Sequence, residues 1–182
     1  MELKNNWDAK VHYHGQYLAM MEYDDKEYMH NVRAQGIVLI IPLTAAHEII
    51  FIEQYRIVLH KNVIEYPAGM AGDELDFRDE LFETAAKREL LEEGGYETDE
   101  LSYLMTAPTS PGSSTEIVNF YMAFNCTKVD EGGGDETENI SVHKIPLQDA
   151  FDWLEKKSAS GSLIDPRIYT GLYFVNRYLK QK

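Results

Sequence analysis

The chain has 182 residues, of which 44% are hydrophobic, 12% aromatic and 26% charged. This composition is that of a globular protein with a substantial core and excludes an intrinsically disordered chain. The formal net charge of -14 repels phosphates, so binding to nucleic acid is not expected. An anionic small molecule would be repelled as well, unless cations occupy some of the acidic groups. Most of the charge is explained by solubility alone.

Cysteine usage and hydropathy indicate a location. Cys126 is the single cysteine, so no disulfide can form within the chain, which fits a reducing compartment. The first residues lack the apolar run of a signal peptide, and no stretch of 18 consecutive apolar residues occurs. We therefore expect a cytoplasmic protein that does not bind membranes.

The first part of the chain favours strands. Residues 17–23 and 27–34 flank Asp24-Asp25-Lys26, which is a plausible hairpin turn. A nearly continuous apolar run at 36–43 predicts a buried strand. Further strands are predicted at 48–57 and at 62–66, the latter ending before Pro67.

The second part mixes helices with strands. A helix is predicted at 80–93, where Gly94-Gly95 provides its C-terminal stop. Strands are predicted at 101–106, 117–124 and 140–145, and residues 129–139 form an acidic, glycine-containing loop. Helices at 147–157 and 166–180 close the chain, with Asp165 as the expected N-cap of the last one. This order predicts an α/β (α+β) sandwich with a mixed sheet instead of a doubly wound parallel sheet.

The helix at 80–93 is unusual in its spacing of glutamates. Glu89, Glu92 and Glu93 lie three and four positions apart, so they share one side of the helix. Carboxylates that converge in this way repel one another unless a cation lies among them, and Mg2+ or Mn2+ prefers such oxygen ligands. The alternative is a solvated acidic face. Spacing alone leaves these two interpretations equally weighted.

The apolar stripe of the same helix bears on that choice. Phe82, Ala85 and Ala86 should face the core, and Glu89 and Glu93 continue their stripe. The glutamates would then point towards protein at the edge of the core, which disfavours the solvated face.

A family resemblance comes from the same segment. Glu80 is followed, after seven residues, by Arg88-Glu89-Leu90-Leu91-Glu92-Glu93-Gly94-Gly95-Tyr96, which resembles the Nudix box. One departure is that Glu74 stands where the opening glycine of the box is expected. Gly69 is the apparent equivalent, which implies an insertion between Gly69 and Glu80.

The resemblance implies a Nudix α/β/α sandwich at 36–182 and an N-terminal antiparallel β region at 1–35 that serves dimerisation. It implies metal ligation by the helix glutamates, with Glu92 also catalytic, and by the carbonyl of Ala68. It implies structural roles for further residues of the box: Gly69, Glu80, Arg88 and Gly95.

Three other segments resemble the ADP-ribose and nucleoside diphosphate sugar pyrophosphatases of that family. Pro111 lies in a Ser-Pro-Gly turn, Arg56 ends a strand, and Glu136 lies in the acidic loop. The resemblance implies that Arg56 contacts the substrate phosphates and that Glu136 is the general base, with Glu138 near a metal. The plainer alternatives are a turn, a surface salt bridge and a solvated loop, respectively. Three glycines at 132–134 would let the acidic loop move.

The implied reaction is hydrolysis of the diphosphate of ADP-ribose or a related nucleotide sugar, with Mg2+ or Mn2+, to a nucleoside monophosphate and a sugar phosphate. The resemblance also implies a homodimer. The expected substrate contacts are Arg33, Arg56, Met70, Pro111 and Glu116. Open alternatives are GDP-mannose, dinucleoside polyphosphates or NADH as substrate, and a non-catalytic nucleotide-binding regulator.

Overall fold

The computed structural model describes residues 8–72, 81–134 and 139–181, which contain thirteen strands and three α-helices. The strands are β1 Lys10–His14, β2 Leu18–Tyr23, β3 Lys26–Asn31, β4 Gly36–Pro42, β5 Glu48–Arg56, β6 Lys61–Glu65, β7 Ala68–Ala71, β8 Tyr96–Glu97, β9 Glu100–Pro108, β10 Ile117–Phe124, β11 Thr127–Lys128, β12 Ile140–Pro146 and β13 Leu163–Ile164. The helices are α1 Phe82–Gly94, α2 Ala150–Ala159 and α3 Arg167–Leu179.

The N-terminal strands form an antiparallel sheet of their own, in the order β1-β2-β3. The predicted hairpin between β2 and β3 is confirmed, and both residues of its turn, Asp24 and Asp25, have positive φ values of 49° and 58°. Aspartate tolerates this left-handed conformation better than most residues. Strand β1 was not predicted from the sequence.

Two four-stranded mixed sheets make up the body of the protein, in the orders β7-β4-β10-β9 and β12-β5-β6-β13. Strands β4 and β10 pair in parallel, as do β6 and β13, and the other pairs are antiparallel. The continuous apolar run of β4 is explained because its residues from Val38 onward are buried on both faces of the sheet.

Helices cover both faces of these sheets. On one face Ile50 packs in a core with Ala85, Ala86 and Leu90 of α1. On the other, Phe51 belongs to a larger core with residues of α2 and α3. Because neighbouring strand residues point to opposite faces, β5 contributes to both cores. The predicted mixed α+β sandwich is confirmed.

The C-terminal elements differ from prediction in detail. The helix expected at 147–157 begins as a 3-10 turn at Leu147–Asp149, and α2 follows. The expected N-cap at Asp165 is wrong by one residue, because Pro166 holds that position and α3 starts at Arg167. The Asp165 carboxylate still accepts a hydrogen bond from the Arg167 N–H at 2.7 Å, which satisfies a donor of the first turn. No helix in the described ranges is both long and apolar enough to span a membrane.

Candidate functional site

The buried side of α1 includes two of its glutamates. Glu89 and Glu93 are 8% and 4% exposed, whereas the side chain of Glu92 is 51% exposed. The apolar stripe of the sequence is therefore continued by Glu89 and Glu93, as predicted. Carboxylates at such depth require polar partners, because desolvation disfavours their charge.

Strand β7 provides a surface that fits against these carboxylates. The Ala68 N–H donates a hydrogen bond to Glu93 Oε2 at 2.8 Å. A Cβ atom at Gly69 would lie 2.0 Å from Glu89 Oε1, so any side chain there would displace that carboxylate. This close approach gives Gly69 a physical reason to be glycine and supports its equivalence to the opening glycine of the box.

Arg88 links the glutamates of the helix to one another. Its Nη1 donates to Glu89 Oε1 at 2.8 Å and to Glu92 Oε2 at 2.9 Å. Its Nη2 donates to the carbonyl oxygen of Met70 on β7 at 3.3 Å. The guanidinium thereby offsets the repulsion between carboxylates that their helical spacing predicts. Glu80, for which the resemblance implies a structural role, lies outside the described residues.

The donors around α1 suit a hard divalent cation. Among the described residues no three His, Cys, Asp or Glu side chains already converge on one point. Glu93 nevertheless accepts a hydrogen bond from Ala68, Glu89 lies against Gly69, and Glu92 shares Arg88 with Glu89. Carboxylate oxygens of this kind are the ligands that Mg2+ and Mn2+ prefer. A cation bound there would compete with Arg88 for Glu89 and Glu92.

The start of the acidic loop is attached to the end of α1. The Gly133 N–H donates to the Glu93 carbonyl and the Gly134 N–H to the Glu92 carbonyl, each at 3.0 Å. A Cβ atom at Gly132, where φ is 68°, would lie 2.6 Å from the same Glu93 oxygen. These glycines therefore permit a close backbone approach that fixes the loop to the helix. Glu136 and Glu138 lie outside the described residues.

A second charged cluster lies on β5 and β6. Arg56 donates to Glu65 Oε2 from Nε at 2.9 Å and from Nη2 at 2.7 Å. Arg167 at the start of α3 approaches the other oxygen of Glu65 at 3.9 Å and donates its Nε to Asp165 at 2.8 Å. Arg56 thus forms the salt bridge that the plainer alternative anticipated, and its side chain remains 40% exposed. Its contact with substrate stays a prediction.

Burial shifts the charge balance of this cluster. Burial raises the pKa of Glu65, and the charge and hydrogen bonds of Arg56 together with Arg167 counter only part of that shift. Burial alone would lower the pKa of Arg167, but Asp165, Glu65 and Glu116 raise it overall. Arg167 therefore stays charged and holds two acidic groups at once.

The Pro111 turn contacts the N-terminal sheet. Ser113 and Ser114 donate their N–H groups to the Ser110 carbonyl at 3.0 and 2.9 Å, which closes the predicted turn. Met29 on β3 then pairs with it through hydrogen bonds to Ser113 and Thr115. The turn therefore joins the N-terminal sheet to the body of the protein.

The remaining predicted substrate contacts lie in the same region. Glu116 accepts a hydrogen bond from Thr109 at 2.7 Å. Met70 accepts one through its sulfur from Asn31 at 3.2 Å, and the Asn31 side chain also accepts the Arg33 N–H. The Arg33 guanidinium lies 4.8 Å from the centre of the Tyr17 ring, a cation–π contact. Met70 and Arg33 are thus linked through Asn31, while their contact with substrate stays a prediction.

Two residues of these clusters, Glu65 and Arg167, and the neighbouring Gln54 were not singled out from the sequence. Glu65 immediately precedes the Tyr66-Pro67-Ala68-Gly69 segment, and its place on the same strand face as Val63 was the available signal. Arg167 follows Pro166 at a helix start, where a cation has no obvious role. Gln54 lies two residues before Arg56 and therefore on the same face of β5.

The profile of the NUDIX domain matches residues 33–164. This chain belongs to the Nudix family. A methanol dehydrogenase activator of Bacillus methanolicus is 35% identical over 127 residues, and an ADP-ribose pyrophosphatase of Bacillus subtilis is 32% identical over 129 residues. Each match covers 69% of this chain and 66% of the relative, which is slightly less than two thirds of the relative's length.

More distant matches agree with this assignment. A GDP-mannose pyrophosphatase of Escherichia coli K12 is 28% identical over 131 residues, covering 68% of this chain and 65% of that protein. A solved structure described as an ADP compounds hydrolase superposes with a TM-score of 0.69 at 21% identity, covering 96% of this chain and 92% of that one. This likeness confirms the Nudix fold.

Proposed function

We propose that this Nudix protein is a pyrophosphohydrolase that splits the diphosphate of ADP-ribose or a related nucleoside diphosphate sugar. The products would be a nucleoside monophosphate and a sugar phosphate. The observation that most supports this is the burial of Glu89 and Glu93 against the backbone of Ala68 and Gly69. The pyrophosphatase names of several relatives support the same class of substrate.

Divalent cations, Mg2+ with Mn2+ as a substitute, would be held by Glu89, Glu92, Glu93 and the carbonyl of Ala68, with Glu138 as a further ligand. When bound, they would neutralise charge on the diphosphate and act as Lewis acids. The approach of Gly69 and the Ala68 N–H keeps Glu89 and Glu93 in place for this role. Arg88 sets the spacing of Glu89 and Glu92.

The other proposed roles belong to the protein's own side chains. Arg56 would bind the diphosphate, because a planar guanidinium donates paired hydrogen bonds to phosphate oxygens. Glu136 would take the proton from the attacking water as general base. The attachment of Gly133 and Gly134 to the end of α1 supports that role, because it brings one end of the acidic loop to the helix of the glutamates. Arg33, Met70, Pro111 and Glu116 would complete the substrate site.

We also propose that the chain forms a homodimer through its N-terminal β region, residues 1–35, with the Nudix catalytic domain at 36–182. All residues of β1 are exposed, and its pairing within the described residues is with β2 alone. Val11, Tyr13 and Leu18 are 43%, 66% and 45% exposed there, which is apolar surface that a second copy would bury. Sedimentation of the full chain and of a Tyr13→Ser variant tests this assignment.

A substrate panel tests the proposed activity. The full chain would be incubated with ADP-ribose, GDP-mannose, NADH and a dinucleoside polyphosphate, each with Mg2+, with Mn2+ and with a chelator, and products separated by chromatography. We expect AMP and ribose 5-phosphate from ADP-ribose, and no products with chelator. Because one relative is named as an activator of another enzyme, nucleotide binding without turnover on every substrate would favour the regulator instead.

A further inference from the structure

Gln54 on β5 has a buried hydrogen-bonding atom that no described residue pairs with. The residue is only 8% exposed, and its Oε1 has no hydrogen-bond partner in the described part of the chain. Buried polar side chains almost always have partners, since leaving one unpaired is costly. An apolar side chain of the same size would fill the same space without this cost, so the amide itself needs an explanation.

The strand register places Gln54 on the site side of its sheet. It lies opposite Ile140 of β12 and Val63 of β6, and directly opposed residues share a face. Arg56, two residues further along β5, is on that face with its partner Glu65. The face is the one that packs against α1, because Ile50 of β5 lies in the core with that helix.

The neighbours of Gln54 restrict what its carbonyl oxygen can meet. Ile140 and Val63 on either side offer no side-chain donor, and Arg56 is engaged with Glu65. An acceptor oxygen cannot pair with phosphate oxygens or carboxylates, which are acceptors too, so its partner must present an O–H or N–H group. A nucleotide sugar presents such groups as its sugar hydroxyls.

Distance along the strand favours a sugar next to the diphosphate. Two residues of β-strand span about 7 Å, which is roughly the width of a sugar ring. If Arg56 holds the diphosphate, the hydroxyls of an adjoining sugar lie at the level of Gln54. The step rests on the proposed function, which supplies the substrate and the role of Arg56.

We propose that Gln54 is a specificity-determining residue whose side-chain carbonyl accepts a hydrogen bond from a hydroxyl of the sugar adjoining the diphosphate. Its cross-strand neighbours Ile140 and Val63 are apolar, so the bound sugar would supply the hydrogen bond that Oε1 lacks among the described residues. A substrate that lacks this hydroxyl leaves Oε1 unpaired and is discriminated against.

The test compares Gln54→Met with Gln148→Met. Methionine has nearly the volume of glutamine without its polar atoms, and Gln148 is exposed in the 3-10 turn beyond the opposite end of β12. For Gln54→Met we expect a melting temperature equal to or above that of the wild type, and kcat/KM for ADP-ribose about ten-fold lower through KM. Gln148→Met should leave both unchanged.

Substrate analogues identify the hydroxyl. ADP-ribose analogues that each lack one hydroxyl would be assayed with the wild type and with Gln54→Met. For one analogue, kcat/KM of the wild type should be about ten-fold lower than for ADP-ribose. With that analogue the ratio of kcat/KM between the wild type and Gln54→Met should fall to one. Equal kcat/KM of wild type and Gln54→Met on intact ADP-ribose, or a ratio that no analogue changes, would overturn the proposal.

A binding measurement separates this proposal from the activity. ADP-ribose would be titrated calorimetrically into both proteins with chelator present, so that no turnover occurs. The wild type could prove inactive in the substrate panel and still bind ADP-ribose about ten-fold more tightly than Gln54→Met does. That result would contradict the proposed hydrolysis and retain the role of Gln54. Weaker Mg2+ binding by Gln54→Met with unchanged affinity for ADP-ribose would make Gln54 a metal ligand and overturn the proposal. Equal affinity of both proteins for ADP-ribose would overturn it as well.

Discussion

Strand β5 presents two very different polar environments on its two faces. On the side of α2, the Glu53 carboxylate accepts hydrogen bonds from His143 Nε2 and Ser162 Oγ, each at 2.9 Å, and from Lys157 Nζ. Trp153 packs beside both His143 and Lys157. Both oxygens of Glu53 are thus engaged, by donors of β12, of α2 and of the segment just before β13.

The side of α1 is not satisfied in the same way. Glu65 is shared by Arg56 and Arg167, and Gln54 keeps an unpaired oxygen within the described residues. Burial is the largest single influence on both carboxyl groups, and by itself it would raise the pKa of each. Three donors outweigh it at Glu53, whose pKa is lowered, while the pKa of Glu65 stays raised. The fully paired side stabilises the fold, whereas the side of α1 leaves an acceptor that the proposed substrate would use.

The largest expected effect is on α1. Glu93→Gln keeps an acceptor for the Ala68 N–H but removes a negative charge from the proposed cation site. We expect kcat with ADP-ribose and Mg2+ to fall at least about 100-fold, with little change in melting temperature. Steady-state kinetics and thermal melting check both.

Glu97→Gln is the matched control for that variant, because Glu97 is exposed on β8 just beyond the helix. It should retain wild-type turnover. Near-wild-type turnover of Glu93→Gln would remove Glu93 from the proposed ligands.

Substitutions in the core formed with α2 and α3 should change the stability of the fold and not its activity. A Cβ atom at Gly171 of α3 would lie 2.4 Å from Cε2 of Tyr66, a fully buried ring whose hydroxyl donates to the Ile168 carbonyl. Gly171→Ala should therefore destabilise the fold by about 1–3 kcal/mol, although alanine favours helix. Urea unfolding measures this change.

Ser158→Ala, on the exposed side of α2, controls for helix propensity and should change stability by less than about 0.5 kcal/mol. A Gly171→Ala variant more stable than the wild type would show that Tyr66 yields its position easily.

Periodicity predicted most of the fold because long strands and helices repeat their apolar positions. The runs that became β4, β5, β10 and α3 were each placed within a few residues. Short elements such as β7 and β13 were not predicted, because two to four residues are too few to show a periodic pattern.

The candidate site likewise has one part that local spacing predicts and another part that it does not. The buried stripe of Glu89 and Glu93 follows from helical spacing, so the sequence predicts it. The clusters of Glu65 with Arg167 and of Glu53 with Lys157 join residues about 100 positions apart. Such contacts depend on the packing of α2 and α3 across β5 and β6, which no local pattern reveals.

The Glu65 cluster should affect substrate affinity. Glu65→Gln removes the charge that orients Arg56, whose guanidinium is then free to take other directions. We expect KM for ADP-ribose to rise about ten-fold with kcat nearly unchanged, since uniform binding is lost. The same substitution on the other face, Glu53→Gln, should leave KM unaltered. A change in kcat without a change in KM would place Glu65 in the chemical step.

The smallest expected effect is the pH dependence of stability contributed by Glu53. Its folded-state pKa is lowered from 4.5, so its stabilisation is present above that value and is lost as pH falls through the folded-state pKa. Glu53→Gln should therefore be less stable than the wild type by about 1 kcal/mol near neutral pH and equally stable in strong acid. Urea unfolding at a series of pH values measures this difference. Glu48→Gln, which breaks a more exposed pair with Lys144, should show a smaller difference throughout. A constant penalty for Glu53→Gln at every pH would mean that packing with Trp153, and not the carboxylate charge, holds α2 to the sheet.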